Sequence, residues 1–241
     1  MKKTFKFFLS IAVILGLLHS CAYDIDSNGG LKGNGTVVLI SRPVASAFNT
    51  IIASEDLKVY VTQGDSLKIT VESDENIIDR IVTEIEKETL RIHTLKGIGR
   101  ATKNIYVTLP RIKTLRTDTG AGIKGLGTIV GDSLYLNGRT GSVIVVNTKS
   151  DYLRTEGMEG ARITISGIAK EVRMAVSSGS DIQAEALQST TCQINASYGG
   201  KAKINVSEVL FADASTGGNI LFTGGAQLKQ GTSKSGTVTN Y

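Results

Sequence analysis

Seven residues of this chain recur at a spacing that could set them side by side. They are Arg116, Tyr135, Arg154 and Arg173 in one series, and Asp118, Asn137 and Glu156 in another, with nineteen residues between successive members of each. In stacked strands such a step makes a ladder whose rungs are about 4.8 Å apart, and residues two apart on a strand point to the same side. Asp213 falls in step with the second series. An Arg/Tyr ladder beside an Asp/Asn/Glu ladder suits a carbohydrate or other polar polymer, with Tyr135 as a stacking platform and the charged groups as hydrogen-bond partners. The same face allows a second chemistry. Asp118 and Glu156, two coils apart, would be separated by about 9.6 Å, and carboxylates roughly 6.5–9.5 Å apart suit inverting glycoside hydrolysis. A third reading is a solvated face whose neighbouring charges offset one another at little net gain.

Other chemistries have few residues to work with. The sequence holds two cysteines, Cys21 and Cys192, and two histidines, His19 and His93. A Cys/His zinc site cannot be assembled from these without carboxylates, and no cofactor or metal is expected. His93 lies in the alternating run Leu90–Leu95 and reads as a solvent-facing strand residue rather than a catalytic base. Gly120-Ala121-Gly122 resembles a phosphate loop, but strand patterns flank it and no helix N-terminus follows. Asp65-Ser66-Leu67 and Asp132-Ser133-Leu134 resemble an O-glycosylation acceptor pattern of some Gram-negative bacteria.

The elements that would carry the ladders come from a repeat spanning Leu115 to Gln227. Written in rows of nineteen, an apolar residue opens five of six rows: Leu115, Leu134, Leu153, Val172 and Leu210. A glycine follows seven places later in the same rows, at Gly122, Gly141, Gly160, Gly179 and Gly217, and isoleucine occupies a third column at Ile144, Ile163, Ile182 and Ile220. One row slips, which places a one-residue insertion near Thr190–Thr191, absorbed in a turn. Units this short cannot bury an apolar face alone and must stack on copies of themselves. Each row alternates around a Gly-centred turn and none offers ten residues at helical spacing. The expected fold is therefore all-β, a parallel β-helix with coils of roughly nineteen residues. A β-sandwich with evenly spaced strands is the alternative, but fixed Leu, Gly and Ile columns favour the solenoid.

At the N-terminus, Lys2, Lys3 and Lys6 precede an apolar run from Phe7 to Leu18, the order of a secretory signal. The run ends in Leu18-His19-Ser20-Cys21, which resembles a bacterial lipobox, with cleavage before Cys21 and lipid on its thiol. Residues 1–20 are thus expected to be a signal peptide and 21–32 a flexible tether. This changes the charge argument. The whole chain is formally +5, but three of its 27 basic and none of its 22 acidic residues precede Cys21, leaving an excess of only two. That is no basis for nucleic-acid binding.

From Gly33 onward, Thr36–Ile40, Phe48–Ala53, Leu57–Thr62, Leu67–Glu72, Leu90–Leu95 and Ile105–Leu109 read as strands. Glu75–Arg80 reads as a short helical turn leading into a strand from Ile81, and Pro110 closes a strand because it cannot donate to a ladder. The tail Gly231–Tyr241 frays or caps the last coil. No linker divides 33–241, which reads as one domain.

Gly33-Asn34-Gly35, Arg42-Pro43-Val44, Phe48 and Ile51 resemble the start of the head GIN domain family of auto-transporter adhesins. Val61-Thr62-Gln63-Gly64-Asp65, Asp74-Glu75-Asn76-Ile77-Ile78-Asp79, Thr89-Leu90-Arg91-Ile92 and Val107-Thr108-Leu109-Pro110 extend the resemblance. It implies a β-helical, repeat-rich fold and a secreted or lipid-anchored protein of a Gram-negative bacterium. It supplies no catalytic residues, and the adhesin role rests on analogy. The sequence as a whole points to a non-enzymatic binding or structural module of the cell envelope, lipidated at Cys21 and held at the outer membrane. Its expected partners are the membrane, a carbohydrate or protein ligand, and further copies through open β edges. A polysaccharide-processing enzyme, either a glycoside hydrolase or a lyase, is the alternative.

Overall fold

The computed structural model describes residues 29–230 and 235–241. The signal-like segment, Cys21 and the start of the tether lie outside the described residues. Leu31 is buried and bridges Ile98, so packing begins two residues before Gly33.

Eight shorter strands come first. β1 (Val37–Arg42), β2 (Thr50–Ala53), β3 (Lys58–Gln63) and β4 (Lys68–Asp74) lead to one 3₁₀ turn at Ile78–Arg80, as the Ile-rich charged segment predicts. β5 (Ile81–Glu86), β6 (Thr89–Thr94), β7 (Lys103–Leu109) and β8 (Thr114–Thr117) follow. The long strands β9 (Gly122–Gly138), β10 (Val143–Gly157), β11 (Arg162–Val176), β12 (Asp181–Ala196) and β13 (Lys201–Ala214) each wrap most of a coil. β14 (Asn219–Thr223), β15 (Gln227–Gln230) and β16 (Thr237–Asn240) finish the stack. Every strand belongs to one sheet, and from β9 to β16 all pairing is parallel. The result is a parallel β-solenoid of about six turns between residues 114 and 240. β16 pairs with β14, so the tail caps the last coil.

The isoleucine column is real and longer than the sequence rows indicate. Ile105, Val59, Ile123, Ile144, Ile163, Ile182, Ala202 and Ile220 stand on successive coils, all facing the core. A second buried column runs Leu134, Leu153, Val172, Cys192, Leu210. Burial pushes the Cys192 thiol up to about 12, so it remains a protonated, apolar core group.

Two registers differ from the nineteen-residue rows. Leu115 pairs with Leu136, not with Leu134, because the first step is two residues longer. The inserted residue lies in β12, where Thr164 faces Gln183 but Ser166 faces Ala186. It is a bulge beside Ala184 and Glu185 rather than a turn at Thr190–Thr191. A bulge adds a residue to one strand without moving the inward column, so Leu187 still reaches the core.

The same shift corrects the glycine column. Thr119-Gly120, Thr140-Gly141, Glu159-Gly160, Ser178-Gly179, Tyr198-Gly199 and Thr216-Gly217 each have two successive residues with positive φ. Gly120 and Gly199 belong in this column; Gly122 does not. Each pair is the centre of a tight turn closed by an i+3 hydrogen bond, as from Ser142 N to the Arg139 carbonyl. Two positive φ values in a row define the type I′ turn, which glycine relieves of strain at its second position. Successive turns are also bonded to one another, since the Gly141 N–H donates to the Glu159 carbonyl and Gly160 N–H to Ser178.

The first half closes the solenoid in an interleaved order. β2 lies between β6 and β8, and β3 lies between β7 and β9, all parallel. β5 covers β6, and β4 with β1 covers β7, in antiparallel fashion. The motifs that carry the family resemblance meet here. The Asp74 carboxylate accepts from Gly35 N (2.6 Å) and Thr102 N (2.7 Å), and a Cβ at Gly33 would collide with that carboxylate. Asn76 bonds to both Asn34 N and the Lys32 carbonyl, while Arg42 reaches the Ile78 carbonyl. Gln63 ties the Pro110 carbonyl to Val130 of the first long coil. These side chains satisfy backbone groups that an irregular cap would leave unpaired.

Candidate functional site

The outward face formed by the second arms of β9 to β13 carries two side-chain columns. Thr114, Tyr135, Arg154, Arg173, Gln193 and Phe211 form the first. Arg116, Asn137, Glu156, Ala175, Asn195 and Asp213 form the second. The expected Tyr135–Arg154–Arg173 ladder is therefore present, as is Asn137–Glu156. Arg116 and Asp118 are corrections. The longer first step moves Arg116 into the Asn137/Glu156 column and carries Asp118 into the type I′ turn, level with Arg139. There its carboxylate accepts from Thr119 N at 2.8 Å.

Glu156 is the centre of this face. Its Oε2 accepts from Tyr135 Oη (2.6 Å) and Asn137 Nδ2 (3.1 Å), while Oε1 accepts from both Nε (2.9 Å) and a terminal nitrogen (2.6 Å) of Arg154. The Arg154 guanidinium also lies 5.6 Å from the Tyr135 ring centroid, and Arg173 repeats the motif over Tyr152 at 5.8 Å. Partial burial pushes the Glu156 carboxyl up, but hydrogen bonds from Tyr135 and Arg154, the Arg154 charge and Asn137 outweigh it and hold the group below its ordinary value. Burial, followed by the bond to Glu156 and that group's charge, raises the Tyr135 phenol. At Asp118 burial is likewise outweighed, by Thr140, Thr119 and Arg139, and the carboxyl is lowered.

These shifts bear on the hydrolase alternative. A general acid needs a carboxyl held protonated near neutrality, whereas both members of this pair are driven toward the anion. They also stand in different columns. The face offers instead a shallow depression of about 230 Å³ beside the network, lined by Arg154, Glu156, Arg173, Gln193 and Asn195 among others. His93 stands on β6, two coils before Arg116 and two residues beyond Arg91 of the same column, with Nε2 3.7 Å from Glu84. Among the described residues no cluster of three or more potential metal ligands occurs, and no helix is long and apolar enough to cross a membrane.

The opposite arm of the coils holds a group that ladder counting misses. Tyr106 and Tyr60 stack with centroids 5.1 Å apart, and Lys124 and Val145 continue their column. In the adjacent column, Gly122 interrupts the sequence Asn104, Lys58, Gly122, Val143. The signal was a second repeat, Lys58-Val59-Tyr60-Val61-Thr62 against Asn104-Ile105-Tyr106-Val107-Thr108, outside the nineteen-residue register.

The stack of parallel coils with one flat, hydrogen-bonded polar face is a parallel β-solenoid. Residues 47–226 match the family model described as "Putative auto-transporter adhesin, head GIN domain", and the chain belongs to that family. Solved structures share the fold. A putative adhesin from Bacteroides fragilis NCTC 9343 aligns at TM-score 0.78 and 17% identity, over 88% of this chain and 100% of that one. A putative adhesin from Parabacteroides merdae ATCC 43184 aligns at 0.64 and 20%, over 88% and 99%. A putative lipid binding protein from Parabacteroides distasonis ATCC 8503 aligns at 0.67 and 18%, over 88% and 99%. No curated protein matches the sequence.

Proposed function

We propose that the protein is a lipid-anchored binding module of the Gram-negative cell envelope that holds a polysaccharide along the Tyr135–Arg154–Arg173 face, without catalysing its cleavage. One observation carries this reading: the depression beside Glu156 is bordered by the side-chain amides of Gln193 and Asn195, which make no hydrogen bond within the described residues. Such groups are free to donate and accept toward a hydroxyl-rich ligand, and the guanidinium of Arg173 adds planar donors beside them. A flat ladder contacts successive units of a polymer, whereas hydrolysis needs groups converging on one bond.

The membership in an adhesin family supports an envelope location, and the lipobox-like run ending at Cys21 supports an outer-membrane lipoprotein. A glycan array probed with the full chain tests the ligand. The expected result is selective binding that Arg173→Ala, Gln193→Ala and Asn195→Ala reduce at least tenfold. Failure to bind any glycan, or binding indifferent to all three changes, overturns the reading. Metabolic labelling with a fatty acid tests the anchor, since incorporation into the wild type should vanish in Cys21→Ala.

A further inference from the structure

The notch at Gly122 lies on the arm opposite the Glu156 network and has a different character. It is about 200 Å³ in volume and is lined by Lys58, Val59, Tyr60, Gly122, Ile123, Lys124, Val143 and Val145. Its origin is a missing side chain. A Cβ added at Gly122 would meet nothing closer than the Val143 carbonyl at 3.9 Å, and the backbone there has no positive φ to explain a glycine. The residue is required neither by a turn nor by a close approach, yet it opens a gap in an otherwise filled column.

The walls of the gap are apolar and aromatic. The Tyr60 ring is covered by Tyr106 on the side of the preceding coil. Its other side turns toward the coil of Gly122 and Lys124 and borders the gap. Val143 and Val145 face it from the coil beyond, each 37% exposed. Lys58 and Lys124 flank this apolar surface, and neither makes an ion pair among the described residues. The carboxylates of neighbouring strands are already engaged. Asp56 is held by Lys103 at 2.5 Å, and Glu72 accepts from Asn104 and Tyr106. Arg162 follows Val143 in the same column, with Asp181 beside it on the next coil, so the uncompensated charge at the gap is that of the two lysines.

We infer that this notch is a second ligand site, which takes a pyranose ring bearing a carboxylate, as in a uronic-acid-containing glycan. The ring's C–H face packs on Tyr60 and the two valines, its hydroxyls remain toward solvent, and its carboxylate lies between the Lys58 and Lys124 ammonium groups. The open shape favours this occupant over an acyl chain. A chain gains most when covered on all sides, while a sugar has one apolar face to bury and one polar face to leave wet. Aromatic rings suit the former, and the unpaired lysines supply charge complementarity for the acid.

The test is titration of the full chain with tri-galacturonate, and with tri-galactose as the neutral counterpart. Tri-galacturonate should bind at least tenfold more tightly than the neutral trimer. Gly122→Val, which restores the column by matching Val143, should weaken tri-galacturonate binding at least tenfold with an unchanged circular dichroism spectrum. Lys58→Gln combined with Lys124→Gln should abolish the preference for the acidic trimer. Arg173→Ala on the other arm should leave tri-galacturonate binding intact, which separates this site from the one proposed above. Equal binding of the two trimers, undiminished binding to the folded Gly122→Val variant, or loss in Arg173→Ala alone overturns the inference.

Discussion

The two arms of each coil use the same backbone for opposite electrostatic ends. On the Glu156 arm, charge is spent internally, since every oxygen of the carboxylate has a donor and Arg154 is shared between Glu156 and the Tyr135 ring. On the Gly122 arm, Lys58 and Lys124 make no ion pair among the described residues and the aromatic pair borders a gap. A polar ladder is thus not by itself a binding surface. What distinguishes a rigid stretch from a receptive one is whether its donors and acceptors are already satisfied, as they are around Glu156 and are not at Gln193 and Asn195 further along the same face.

This contrast can be broken most severely at its centre. Glu156→Ala removes the acceptor shared by Tyr135, Asn137 and Arg154, leaving the partly buried Tyr135 O–H without an acceptor and the Asn137 amide with only its long bond (3.3 Å) to the Tyr135 oxygen. The expected loss is about 2 kcal/mol, read from urea denaturation. Tyr135→Phe removes the bond to Glu156 and the longer one accepted from Asn137 but keeps the ring under Arg154, and should cost about 1 kcal/mol in the same measurement. On the other arm, Lys58→Gln and Lys124→Gln should each change stability by less than about 0.5 kcal/mol, as exposed substitutions do. A large loss there would show that the lysines are structural and would erase the difference between the arms.

Acid sharpens the comparison further. The folded-state pKa of Glu156 lies below its ordinary value, so its contribution is fully present above the unfolded carboxylate range, about pH 4.3. It is lost as pH falls through the folded pKa. The wild type should therefore lose more stability on acidification below pH 5 than Glu156→Gln does, and the Lys58→Gln variant should follow the wild-type curve. Thermal melts across pH 3 to 7 read both.

The solenoid was legible because its inward columns repeat: Ile144, Ile163 and Ile182 are spaced by the coil itself. The site was legible only in part. Arg154, Tyr135, Glu156 and Asn137 fell where the spacing puts them, since the rows from Leu134 to Val172 keep a constant step. Asp118 and Arg116 did not, because the first coil is longer and a fixed period carries that error into every residue before Leu134. The bulge at Ala184–Glu185 misled in the same way. An insertion shows in the sequence as a slip but not as a place, because only inward residues are constrained to repeat. The Gly122 notch was hidden for a further reason. A glycine in a strand reads as a turn residue until its φ is known, and the nineteen-residue rows had assigned it to the corner occupied by Gly120.

The interleaved start of the stack bears on how the chain reaches this shape. Residues 50–63 form a middle coil, and both neighbours that complete it are supplied by segments that come later in the chain. A chain emerging N-terminus first must leave two bare strand edges on β2 and β3 until β9 has followed, and such distant pairings are slow to form. Each coil beyond β9 then adds to a finished platform beside its own predecessor, a local step. Assembly is therefore expected to be slow once, at the cap, and rapid thereafter, with the early half exposed to mispairing in the meantime.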